Sequence, residues 1–149
     1  MPNDNVIALR KAAQKYAFAT TQLHETIARK TGFSGTDHKY LGFFLQKGNL
    51  TAGELAVLSG LTTGAVTGLI DRFEKKKLVK RQFDKTDRRK VIIAPDKDRI
   101  MALFEPYYKK FQKETENLIA SFSKREMEIV ESYLTKMIEL MESTREKFS

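Results

Sequence analysis

The chain has 149 residues, 41% of them hydrophobic and 31% charged, which fits one compact domain or a domain with helical extensions. It contains no cysteine, which excludes disulfides, thiol nucleophiles and cysteine-based redox sensing and removes the strongest zinc ligands. The net charge is +8, and ten Lys/Arg against three acidic residues place +7 of it within residues 72–90, a footprint suited to a polyanion.

No apolar run reaches the length of about 18 residues that a membrane helix needs. The opening MPNDNVIALRK lacks the apolar stretch of a signal peptide, so the expectation is a cytoplasmic protein with no membrane partner. Residues 5–30 read as one long helix, with Leu9, Ala13, Tyr16, Thr20, Leu23 and Ile27 at spacings of three to four and Asn3 or Asp4 as the cap. Some 25 residues would span about 38 Å, which suggests a helix reaching beyond its own core. Residues 31–35 break it. Thr36 or Asp37 then caps a second helix with an apolar face of Tyr40, Leu41, Phe44 and Leu45, ended by Gly48-Asn49.

Thr51 with Glu54 forms a capping-box pattern, stapled by Leu50 and Leu55, ahead of the short helix AGELAVLS. Ser59-Gly60-Leu61 is a tight turn, and Thr62 caps the next helix. Helix, glycine turn, helix is the helix-turn-helix arrangement. In residues 62–76, Val66, Leu69, Ile70 and Phe73 make a buried stripe, while Gly64, Thr67, Gly68, Asp71 and Lys75 take the opposite face. Glycine inside a helix costs about 1 kcal/mol against alanine. Two of them on a solvent face point to close approach of the backbone to something else; helix–helix packing is the other reading.

Residues 78–83 and 90–94 are short β-prone runs around the basic turn Asp84-Lys85-Thr86-Asp87-Arg88-Arg89, a hairpin wing. From 94–96 onward the chain returns to helix, with Ile100, Phe104, Tyr107, Phe111, Leu118 and Phe122 in a stripe that Pro106 is predicted to kink or restart. Ser123 and Glu126 form a second capping box, stapled by Phe122 and Met127, before a last helix carrying Val130, Tyr133, Leu134, Met137, Ile138 and Met141. The predicted fold is mainly α with a small β-hairpin wing. A winged helix-turn-helix lobe at 36–94 stands between an N-terminal dimerisation helix at 1–35 and C-terminal dimerisation helices at 95–149. The outer helices carry more apolar surface than the lobe can cover, so a two-fold dimer is expected, with an intramolecular bundle as the alternative.

The stretch LTAGELAVLSGLTTGAVTGLIDRFEKKKLVKRQFDKTDRRKVII resembles the winged helix-turn-helix core of the multiple-antibiotic-resistance regulator (MarR) family. The match runs from about Thr36 to Ala94, and TTGAVTGLIDR and the Asp87-Arg88-Arg89 turn are its most specific pieces. The resemblance implies a homodimeric transcription regulator on double-stranded DNA with a pseudo-palindromic operator, commonly a repressor relieved by a small phenolic or other aromatic effector, with no cofactor. By position, Thr62, Thr63, Gly64, Ala65, Thr67 and Gly68 would enter the major groove and Arg72 would approach the backbone. Asp87 would poise Arg89 for the adjacent minor groove. An effector pocket would draw on Tyr16, Tyr40, Phe43, Phe44, Tyr107 and Tyr108, which ordinary core packing also explains. Three places depart from the family pattern: Lys77 where glycine is usual, Lys85-Thr86 in place of a wing proline, and Ala94-Pro95 in place of Leu-Thr.

Read chemically, the threonine hydroxyls suit base edges or phosphates, and Ala65 or a threonine methyl suits a thymine methyl. The helix N-terminus offers backbone N–H groups to a phosphate. Arg72, Lys75, Lys85, Arg88 and Lys90 supply charge, which sets affinity and salt dependence, and Arg89 in a narrow minor groove would read shape. No Asn, Gln or central Arg faces outward, so shape and water are expected to carry much of the specificity. No catalytic constellation is found. His24 and His38 are the only histidines; with Asp37 they would form a partial metal site if the first two helices meet, or else serve as surface or interface residues. Three other uses of the same fold remain: an RNA-binding winged helix, an architectural DNA binder, and a module for protein–protein assembly.

Overall fold

The computed structural model describes residues 1–149. Eight elements follow in order: α1 (Asp4–Lys30), α2 (Gly35–Lys47), α3 (Ala52–Ser59), α4 (Thr63–Lys75), β1 (Val79–Phe83), β2 (Val91–Pro95), α5 (Lys97–Ala120) and α6 (Lys124–Phe148). They form two compact units, residues 1–106 and 107–149.

In the first unit, Asn3 caps α1 by accepting from the Val6 N–H at 2.9 Å. Most of the helix is exposed, with Ala13, Thr20, Leu23 and His24 half-buried, until Ile27 and Ala28 pack inward as α1 meets α2. The cap of α2 is Ser34, whose hydroxyl accepts from the Asp37 N–H at 3.1 Å. The sequence predicts this cap at Thr36 or Asp37; the helix instead begins two to three residues earlier, behind Ser34, and Asp37 is drawn into the interior. Tyr40, Leu41 and Phe44 of α2 are buried. Thr51 caps α3 through the Glu54 N–H at 3.1 Å, with Leu50 and Leu55 both buried beside it. Gly60 closes α3 at φ 71°, a left-handed conformation that favours glycine. α3 and α4 meet at a bend of 110°, within the range of a helix-turn-helix.

Val66, Leu69, Ile70 and Phe73 of α4 are buried as their spacing requires. Each such side chain contributes about 1.5–3 kcal/mol on burial. The end of α4 departs from the glycine usual in this position. Lys77 itself takes φ 60°, and the Leu78 N–H donates to the Phe73 carbonyl at 2.9 Å, the reach-back bond of a Schellman closure. The hairpin pairs antiparallel, Val79 with Pro95 through Phe83 with Val91. Leu50 bridges to Ile93 on the other side, with N···O distances of 3.1 and 2.7 Å. This one-residue third strand ties the loop before α3 to the wing. α5 starts under Asp96, whose carboxylate accepts from the Arg99 N–H at 3.0 Å, and it runs unbroken through Pro106.

In the second unit, the C-terminal half of α5 turns at Ser121–Phe122 into α6. Ser123 and Glu126 form the full reciprocal capping box, at 2.8 and 3.1 Å. The carboxyl of Glu126 is held below its ordinary value, first by the Ser123 backbone N–H. No residue of α6 is buried. No single helix of the chain is long and apolar enough to cross a membrane.

Candidate nucleic-acid interface

The exposed face of α4 begins at its cap. The Thr62 hydroxyl accepts from the Ala65 N–H at 3.2 Å, so part of its bonding capacity is spent on the helix. Thr67 donates its hydroxyl to the Thr63 carbonyl at 3.0 Å, which leaves its methyl group and oxygen lone pairs outward. Thr63, Gly64, Ala65 and Thr67 are exposed and Gly68 is half-buried. A Cβ at Gly64 would meet nothing within 4 Å, and one at Gly68 would meet only Arg72 Nη1 at 3.9 Å. Packing within the chain therefore accounts for neither glycine.

The basic stretch divides into anchored and outward cations. Arg81 is anchored. Its backbone N–H and its guanidinium both bond Glu74, at 2.9 and 2.7 Å, and its second guanidinium nitrogen reaches Asp71 at 2.6 Å. The Glu74 carboxyl is accordingly held below its ordinary value, first by the Arg81 backbone N–H and then by the guanidinium. Arg81 is pushed up, most of all by Asp71. This clamp fastens the wing to α4. Sequence alone puts Asp71 on the outward face and Arg81 among the ten cations of 72–90; the local signal for the clamp is Asp71 and Glu74 three apart on one helix, ahead of a lone arginine in a strand.

Arg72 is partly anchored. Its Nη2 pairs with Asp37 at 3.0 Å, with the Asp37 side chain 11% exposed and that of Arg72 57%. The pair joins α4 to the first turn of α2. Asp37 is the buried charged residue of the core, and it turns to Arg72 instead of joining the two histidines. Those histidines do meet across α1 and α2, as stacked rings 4.8 Å apart.

Lys75, Lys85, Arg88, Arg89 and Lys90 are exposed. Asp84 shapes the wing tip by accepting from the Thr86 N–H and hydroxyl, at 3.1 and 3.2 Å. Its carboxyl is held below the ordinary value, first by that N–H. Asp87 accepts from the Arg89 N–H at 3.0 Å and from its Nε at 3.3 Å. The Arg89 side chain, 93% exposed, is thus held at its root and extended at its tip.

Within the first unit, the aromatic residues expected at an effector pocket do not share one environment. Tyr40 and Phe44 are buried in the core of the first unit, while Tyr16 is 71% exposed. Phe43 lines a groove of about 480 Å³ between α1 and α2, with Thr21, His24, Glu25, His38, Lys39 and Gln46. Tyr107 and Tyr108 open the second unit, the first exposed and the second half-buried.

Comparison with known proteins matches this geometry. A profile of the MarR family matches residues 31–90. The chain is 35% identical over 137 residues to YcgE, an uncharacterised HTH-type transcriptional regulator of Bacillus subtilis (strain 168), covering 90% of this chain and 86% of that one. A second Bacillus subtilis regulator of the same description, YsmB, is 28% identical over 138 residues, 91% and 92% of the two chains. Among solved structures, a MarR family protein from Bacillus stearothermophilus superposes with a TM-score of 0.70 at 28% identity, over 95% of this chain and 99% of that one. MepR of S. aureus in its DNA-binding conformation shares the fold, with a TM-score of 0.62 at 23% identity over 89% and 98%. The chain belongs to the MarR family of winged helix-turn-helix transcription regulators.

Proposed function

We propose that the protein reads a pseudo-palindromic operator in double-stranded DNA as a homodimer, and that it represses transcription until a small aromatic ligand relieves it. The observation that carries the DNA reading is the outward face of α4. It presents threonines and two glycines that internal packing does not require, next to a wing whose exposed cations concentrate the charge of the chain. Thr62, Thr63, Gly64, Ala65, Thr67 and Gly68 would meet the major groove, and Lys75, Lys85, Arg88 and Lys90 the phosphates. Arg89, steadied by Asp87, would enter the minor groove. Arg72 divides its guanidinium between Asp37 and the backbone of the duplex.

The dimer reading rests on α6. Val130, Leu134, Ile138 and Met141 are 48–61% exposed along one helical stripe. A second copy of the chain covers such a face under two-fold symmetry. The effector reading rests on the groove beside Phe43, where one phenyl ring stands among mainly polar side chains, a lining more polar than that of most small-molecule sites.

Selection of genomic fragments by the purified protein at about 150 mM salt, read by sequencing, tests the proposal. Enrichment of a pseudo-palindrome with half-sites about 10–11 base pairs apart supports a dimeric operator reader. Uniform recovery of fragments returns the architectural reading, and no retention of duplex DNA returns RNA binding or protein assembly.

A further inference from the structure

The hairpin carries an apolar feature that neither the recognition helix nor the charged wing tip explains. On β1, Val79, Arg81 and Phe83 point to one face and Lys80 and Gln82 to the other, because strand side chains alternate. The first face is the inward one: Val79 is 3% exposed, and Arg81 turns to Asp71 and Glu74 of α4. Its partners on β2 are Pro95, Ile93 and Val91, of which Ile93 is 1% exposed. Phe83 and Val91 extend this face beyond the core. They stand opposite each other in register, at 69% and 41% exposure. A phenyl ring and an isopropyl group thus form an apolar step just before the loop 84–90, on the side of the hairpin that faces α4.

A duplex that engages α4 in its major groove and the wing tip in the adjacent minor groove must pass one sugar–phosphate strand across this step. Lys85, Arg88 and Lys90, all exposed, lie in the loop that joins Phe83 to Val91, and their charge complements the phosphates of that strand. Phe83 and Val91 have no charge or hydrogen bond to offer, and what they match is the C–H face of a deoxyribose between two phosphates. We infer that the Phe83–Val91 pair is a DNA-contact site that seats the sugar backbone between the recognition helix and the wing, and adds affinity that depends neither on base sequence nor on salt. The inference rests on the operator-binding reading above.

The test uses the full-length protein and a fluorescent mixed-sequence duplex of about 30 base pairs, since the contact is to sugar and any sequence serves. Binding is titrated at several concentrations between about 50 and 200 mM salt for wild type, Phe83→Ala, Phe83→Leu and Arg88→Ala. Phe83 is largely exposed, so its truncation leaves the core untouched. Phe83→Ala should weaken binding about three- to ten-fold at every salt concentration, leaving the slope of log affinity against log salt unchanged, and Phe83→Leu should recover most of the loss. Arg88→Ala should lower that slope by about 0.9. Unchanged affinity in Phe83→Ala overturns the inference. So does a loss accompanied by a shallower slope, because it would mean that Phe83 only stiffens the hairpin that carries the cations. If the selection of genomic fragments retains no duplex, the operator reading itself fails and this inference fails with it.

Discussion

The two glycines of α4 allow stability and binding to be moved in opposite directions. Gly64 and Gly68 have helical backbones, and the space around a new Cβ is open at the first and nearly so at the second. A methyl group therefore introduces no clash within the chain and lowers the conformational entropy of the unfolded state. Interior helical Gly→Ala is worth about 1 kcal/mol, and this full value is expected at Gly68. Gly64 lies in the first turn, where about half of that is expected. The double variant should gain about 1.5 kcal/mol, or roughly 3–6 °C in Tm for a chain of this size. Binding should respond the other way. A methyl on a face that meets a groove wall closely overpacks the contact by about 1–3 kcal/mol, a loss of about five- to 150-fold. Urea unfolding at one fixed protein concentration gives the first quantity, since association of copies makes the midpoint concentration-dependent; anisotropy titration of the selected operator gives the second. A gain in stability with operator affinity unchanged would refute the argument that the glycines exist for close approach.

Three further outcomes are expected. Asp37 and Arg72 lie between a buried pair, where losing one partner costs about 3–5 kcal/mol, and an exposed one worth under about 1 kcal/mol; Arg72→Ala should therefore cost about 1–2 kcal/mol, and a double-mutant cycle with Asp37→Ala should return a coupling near 1 kcal/mol, whereas additive single effects would show that the pair is incidental. Lys77→Gly relieves a left-handed strain of about 1–2 kcal/mol at the expense of glycine's extra unfolded-state entropy of about 0.5–1 kcal/mol, so the urea midpoint should rise slightly, and a fall would contradict the αL assignment. His38 has its pKa lowered from the ordinary 6.5, first by burial and then by His24; the unfolded chain takes up the proton first, so stability should be greatest above about pH 6.5 and decline as pH falls through and below it, a decline that His38→Gln should flatten in urea titrations run between about pH 5 and 8.

What the sequence made legible was whatever local chemistry decides. The stripe Val66, Leu69, Ile70 and Phe73 has one helical solution, and all four are buried. The Ser123–Glu126 box is a contact between residues three apart, and it forms as read. Strand limits of the hairpin came within one residue, because the polar turn fixes both ends. What was missed depends on partners distant in sequence. Asp37 and Arg72 are 35 positions apart, and nothing in the first helices marks Asp37 as an inward carboxylate. The Leu50–Ile93 bridge joins segments more than forty residues apart, and the staple with Leu55 already explains Leu50 locally. Phe83 falls in an alternating strand where an outward phenylalanine and an inward one look alike until Arg81 shows which face is inward.

The Arg81 clamp also changes what the basic stretch means. Read as a line of ten cations, residues 72–90 suggest a uniform polyanion surface. In the fold, Arg81 is taken by Asp71 and Glu74 and Arg72 is shared with Asp37, so two of the ten hold the reading elements in place. Asp71 and Glu74 sit on α4 and Arg81 on β1, and together they set the angle between recognition helix and wing. Asp87 acts on Arg89 in the same way at shorter range. Charge thus plays two roles within one short stretch. Paired charges fix where helix and wing stand relative to each other, and under the proposed operator reading the outward ones would meet phosphates at positions already determined. A helix face without Asn, Gln or a central Arg has few groups that discriminate bases directly, so the proposed recognition by shape would require that this geometry be stiff. The acidic residues in and around the basic run are placed to hold it, through the Asp37–Arg72, Asp71–Arg81, Glu74–Arg81 and Asp87–Arg89 pairs.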